Sequence, residues 1–150
     1  MSEDAAAKKA REEEVVKVLR QFSGAFQTFD TDSFISTWDE SMESIVYQPE
    51  ELRHPILSLK DLRAYFDNVP NVVKKMHDIR VIDFDIDIDG DVAIVYVRFW
   101  CRIAFAKVVE TVDGQIRQSF ILRRRDGAWK IVHYHESRQA PGFEQAVGDW

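Results

Sequence analysis

From Met76 onward, apolar residues recur at every second position, the pattern of an extended strand with one buried face. In His77 to Asp89, one phase holds Ile82, Phe84, Ile86 and Ile88, and the other holds Asp83, Asp85, Asp87 and Asp89. This predicts a half-buried strand with a solvated acidic face. Asp89-Gly90 turns the chain into a long strand from Val92 to about Val109. Asp113-Gly114 is expected to turn it again, Gln115 to Arg124 to form a further strand, and Asp126-Gly127 to lead into the last. The second part of the chain should therefore be a meander of long antiparallel strands.

The first third has the helical period instead. Val15, Val18, Leu19, Phe22, Phe26 and Phe29 share one helix face, and Ser2 and Asp4 are candidate caps. Residues before Arg11 lack an apolar stripe, so positions 1–10 are expected to be a flexible or helical extension and 11–150 a single domain. Asp30-Thr31-Asp32 restarts a short helix bearing Phe34, Ile35 and Trp38. Glu43 to Gln48 suggests a short strand ended by Pro49. Ser58-Leu59-Lys60-Asp61 resembles a capping box and opens a third helix with Leu59, Leu62, Tyr65, Phe66 and Val69, which Pro70 helps to stop. Helices followed by a strand meander predict an α+β domain, its helices packed on one face of a curved sheet.

Charge and composition narrow the function. A net charge of -6 argues against nucleic-acid or anionic-membrane partners, and Arg123, Arg124 and Arg125 flank a turn. A hydrophobic share of 45%, with 10 Phe and 4 Trp, is enough for a core. Cys101 is the lone cysteine, so a reducing, cytoplasmic setting is expected. Ser2, Glu3 and Asp4 do not begin a signal peptide, and the apolar runs are too short to span a bilayer.

Asp85-Ile86-Asp87-Ile88-Asp89-Gly90 imitates the start of a calcium loop, but Tyr96 stands where a bidentate Glu is required. His133 and His135 share a strand face without a third zinc ligand at a recognisable spacing, so no metal is expected. The sequence has no nucleophile elbow and no glycine-rich phosphate loop, and it indicates no cofactor. The long strand is apolar in one phase (Val95, Val97, Phe99, Cys101, Ile103, Phe105), while the other alternates aromatics with arginines (Tyr96, Arg98, Trp100, Arg102). Both faces need cover: either helices cover one and a partner subunit the other, or one face lines a cavity. Arg98 between Tyr96 and Trp100 would suit a carboxylate pocket, or would pair with an internal acid such as Glu136.

Several ordered segments resemble the association (hub) domain of calcium/calmodulin-dependent protein kinase II, within the nuclear transport factor 2-like superfamily. They are Tyr47-Gln48-Pro49-Glu50, Tyr65-Phe66-Asp67-Asn68, Ala93-Ile94-Val95-Tyr96-Val97-Arg98, Arg124-Arg125-Asp126-Gly127-Ala128-Trp129 and Val132-His133-Tyr134-His135-Glu136-Ser137. The resemblance implies a cystatin-like cone: a long N-terminal helix and two shorter ones packed on a strongly bent antiparallel sheet. It also implies a non-catalytic oligomerisation hub, a ring-shaped homo-oligomer of dimers, with an internal pocket for a small organic ligand. The expected pocket residues are Arg98, Tyr96, Trp100, Phe120, Glu136, Tyr47, Trp38 and Tyr65, and the expected oligomer contacts are Val97, Phe99, Ile103, Phe105, His133 and His135. One family pocket arginine matches Arg98; two others fall on Phe120 and Glu136, and a family pocket histidine falls on Leu62. The same fold also carries small-molecule enzymes of the ketosteroid isomerase or SnoaL type, which use a pocket acid or base.

Overall fold

The computed structural model describes residues 2–140 and 142–147. Helix α1 (Ser2–Thr28) is followed by α2 (Thr31–Ile35), strand β1 (Val46–Gln48) and α3 (Leu59–Val72). Strands β2 (Val73–Asp89), β3 (Val92–Phe105), β4 (Val112–Arg125) and β5 (Ala128–Ser137) complete the sheet, and α4 (Phe143–Val147) follows. The strand order is β1-β5-β4-β3-β2, antiparallel throughout except for the parallel β1–β5 pair. The α+β cone with a long first helix on a curved sheet is thus what the chain adopts.

Local chemistry explains most boundaries. Phe29 takes a left-handed conformation (φ 54°) just after α1, and Asp30 caps α2 by accepting a hydrogen bond from the Ser33 N–H. The Ser58 hydroxyl accepts from the Asp61 N–H at 3.2 Å, as the capping sequence predicts. Pro70 lies within the last turn of α3, which gives way directly to β2 at Val73. Asp126 and Gly127, both at positive φ, make the β4–β5 hairpin. Asp113-Gly114, expected to be a turn, lies inside β4 and faces Arg102 and Cys101 across the ladder. The β3–β4 connection falls at 106–111 instead, where Val109 is fully exposed.

Residues 4–11 of α1 are exposed; its apolar stripe begins at Val15 and buries Phe22 and Ala25 against the sheet. Phe22 meets Phe120 edge-on at 5.2 Å, and Phe34 stacks on Phe66 at 4.2 Å, which ties α1, α2 and α3 to the concave side. Register decides what each face of β3 does. Val95, Val97 and Phe99 share the concave side with Phe120, Gln118 and Ile116 of β4. Ile94, Tyr96 and Arg98 share the convex side with Asp87, Asp85 and Asp83 of β2.

Candidate functional site: an acid-lined hollow

Between α1, α3 and the concave sheet lies a hollow of ≈ 750 Å³. Phe22, Phe26, Val97, Phe99, Phe105 and Phe120 make much of its wall. Its polar end is built where β1, β4 and β5 meet. Glu136 accepts a hydrogen bond from the Glu50 N–H at 2.9 Å and another from the Tyr134 hydroxyl. That hydroxyl in turn accepts from the Gln118 amide at 2.9 Å. Tyr134 stacks on Tyr47 with ring centres 5.1 Å apart, and the Tyr65 hydroxyl donates to Glu51. Glu50 itself is held by the Arg138 guanidinium in a two-pronged pair at 2.8 and 2.9 Å.

Burial dominates the electrostatics. It pushes the Glu136 carboxyl up to about 7, against the pull of the hydrogen bonds from Tyr134 and Glu50, and the nearby Glu51 and Glu50 charges push the same way. Desolvation likewise raises the Tyr47, Tyr65 and Tyr134 hydroxyls far beyond their usual range, so they stay neutral donors. Among the described lining residues, Glu50, Glu51 and Glu136 are acids, and Arg20 is the single base, on the exposed side of α1. A carboxyl near neutrality beside phenol donors in an apolar chamber can bind a polar group or exchange a proton with it.

Of the residues expected in a pocket, Phe120, Glu136, Tyr47 and Tyr65 line the hollow. Trp38 does not: it is buried in the core between Phe34 and Tyr47. Arg98, Tyr96 and Trp100 are on the convex face, because their phase of β3 points away from the helices. Arg98 forms a two-pronged pair with Asp83 of β2, through Nε at 2.8 Å and Nη2, and does not meet Glu136. Trp100 lies beneath the guanidinium groups of Arg80 and Arg102, at 4.8 and 5.8 Å. The phase assigned to subunit contacts is reversed as well. Val97, Phe99, Ile103 and Phe105 line the hollow, the side on which the helices pack, whereas His133 and His135 share the outer face with Ile121 and Ser119. No group of three metal-ligating side chains occurs among the described residues.

Sequence reasoning missed Tyr134, Gln118, Glu50 and Glu51. Tyr134 was legible, since it alternates with Glu136 on one strand and so shares its face. Glu50 and Glu51 follow β1 in a turn, where no periodicity announces an inward side chain.

Residues 11–140 match the family described as calcium/calmodulin dependent protein kinase II association domain. The chain is 25% identical over 136 residues to the calcium/calmodulin-dependent protein kinase type II subunit delta of Oryctolagus cuniculus, covering 86% of this chain and 24% of that protein. It therefore spans about a quarter of that relative's length. Among solved structures, the association domain of C. elegans CaMKII superposes with a TM-score of 0.67 at 23% identity, covering 88% of this chain and 98% of that one. A nuclear transport factor 2 (NTF2-like) superfamily protein from Salmonella enterica serovar Typhimurium gives a TM-score of 0.77 at 13% identity, covering 95% and 99%.

Proposed function

Because the chain belongs to the calcium/calmodulin dependent protein kinase II association domain family, we propose that it is a non-catalytic hub that assembles with copies of itself and holds a small organic ligand in its hollow. One observation carries the self-assembly: the convex face of the sheet is apolar along its middle and uncovered. Ile94 is 55% exposed and Tyr96 40%, on a strand whose opposite face is core. To one side lie Asp85, Asp87 and Asp89 of β2; to the other lie Arg117 and Arg123 of β4. A twofold axis running along β3 would set the acidic row of each subunit against the basic row of its partner, with the apolar stripes in contact. Closing such dimers into a ring requires a second contact elsewhere on the surface.

Light scattering tests this reading. The expected particle has several times the monomer mass at micromolar concentration, and Ile94→Lys with Tyr96→Glu should reduce it to smaller species with an unchanged circular dichroism spectrum. A wild-type monomer would overturn the proposal. Glu136 favours a second reading, a small-molecule enzyme of the ketosteroid isomerase or SnoaL type, because a carboxyl at about 7 in an apolar chamber is suited to proton transfer. A discrete dimer that turned over a substrate, and lost that activity in Glu136→Gln, would replace the hub by the enzyme.

A further inference from the structure

A guanidinium lining would suit small carboxylates, but this chamber has the opposite sign. Its polar end carries Glu136 and Glu51, neither in an ion pair with a described cation, since the nearby Arg138 is occupied by Glu50. The Tyr47, Tyr134 and Tyr65 rings cluster at the same end, Tyr47 stacked on Tyr134 and tilted against Tyr65, and add apolar ring surface beside the two acids. Beyond that end the wall is apolar: Phe22, Phe26, Val97, Phe99 and Phe120. A carboxylate here would meet like charge in a poorly solvated site, which costs more than it could recover from Tyr hydroxyls. A neutral alcohol could donate a hydrogen bond to Glu136 but would bring no opposite charge to its ionised form.

We infer that the hollow takes a largely apolar, aromatic-bearing organic amine, its protonated nitrogen held by the Glu136 and Glu51 carboxylates beside the tyrosine cluster. This rests on the hollow being a ligand site, and it specifies the ligand's chemical class. The titratable groups facing Glu136 are Tyr47 from β1, Glu50 and Glu51 from the turn after it, Tyr65 from α3, Cys101 from β3, Tyr134 from β5, and Arg138 beyond β5. Burial pushes the Glu136 carboxyl up to about 7, so its ionisation sets the pH dependence.

The test is titration calorimetry of the whole chain with three probes on one skeleton, phenylbutylamine, phenylbutanol and phenylbutyrate, between pH 6 and 8. The amine should bind at least tenfold tighter than the alcohol at pH 8, and the carboxylate more weakly than the alcohol. Amine affinity should rise roughly tenfold across this range as Glu136 ionises, with a proton released on binding near pH 7, while the alcohol shows no such rise. Glu136→Gln should abolish the pH dependence, and Glu51→Gln should weaken the amine selectively; either variant alone suffices if the other does not fold. If the alcohol or the carboxylate equals or exceeds the amine, the assignment to amines is wrong and the hollow remains a ligand site. If none of the three binds, the ligand-site reading itself falls, whatever the oligomeric state.

Discussion

Replacing Glu136 with Gln should make the protein more stable above neutral pH, the reverse of what a buried ion pair with Arg98 would give. Raising the carboxyl from its ordinary 4.5 to about 7 disfavours the ionised form in the fold by roughly 3 kcal/mol. A group that holds its proton more tightly when folded weakens folding as pH rises. Wild-type stability should therefore fall between about pH 4.5 and 7 and level off above. A Gln side chain removes that loss, keeps an acceptor for the Glu50 N–H, and leaves the Tyr134 hydroxyl without its acceptor, a cost of about 1 kcal/mol. The net expectation is a gain of about 2 kcal/mol at pH 8 and a change near zero at pH 5, where the wild type has already lost about 1 kcal/mol. Urea unfolding at both pH values, with the midpoints compared at equal slope, measures the difference. Equal destabilisation of Glu136→Gln at pH 5 and pH 8 would refute the reasoning, since it would mean the fold already compensates the carboxylate.

Three further outcomes are expected. Asp39 is nearly fully buried, and hydrogen bonds from Ser41 together with Arg125 at 2.7 Å outweigh its desolvation and hold its carboxyl below the usual range. Asp39→Ala should cost about 2–4 kcal/mol at pH 7, and the wild type should lose this contribution as pH falls below 3.8; denaturant midpoints unchanged between pH 5 and pH 2.5 in both proteins would contradict it. Arg98 and Asp83 form an exposed pair, so Arg98→Met should change stability by no more than about 1 kcal/mol, and a larger loss by urea titration would restore a buried role for the arginine. Cys101 is fully buried, and desolvation pushes its thiol up to about 11, so a thiol reagent should label the native protein only as fast as it opens; prompt labelling at pH 8 would show a side chain that reaches solvent.

Alternation in the sequence was enough to place β2, β3 and the β4–β5 hairpin, because period two and an Asp-Gly pair are local signals. It could not say which phase of β3 faces the helices. Both phases are bulky: the arginine–aromatic one is as large as the apolar one, and the choice depends on α1 and α3, which are remote in the chain. That single ambiguity sent Arg98, Tyr96 and Trp100 inward and Val97, Phe99, Ile103 and Phe105 outward. Gly114 departs from the expected turn for a different reason. Its φ of 141° and the Arg138 Nη1, 3.0 Å from where a Cβ would stand, show a glycine kept for close approach within a strand, not for a turn. The Arg138–Glu50 clasp behind it joins residues 88 positions apart, beyond the reach of any local pattern.

Two inheritable surfaces are written on β3, one in its odd positions and one in its even positions. Substitutions at Val97 or Phe99 reshape the chamber and leave the outer stripe untouched; substitutions at Ile94 or Tyr96 do the reverse. Descendants of such a chain can change what they hold and how they associate along separate lines, without trading one against the other. Point substitution preserves that independence, but a one-residue insertion in the strand would exchange the two surfaces at a stroke. Length is therefore the property of β3 that drift is least free to alter.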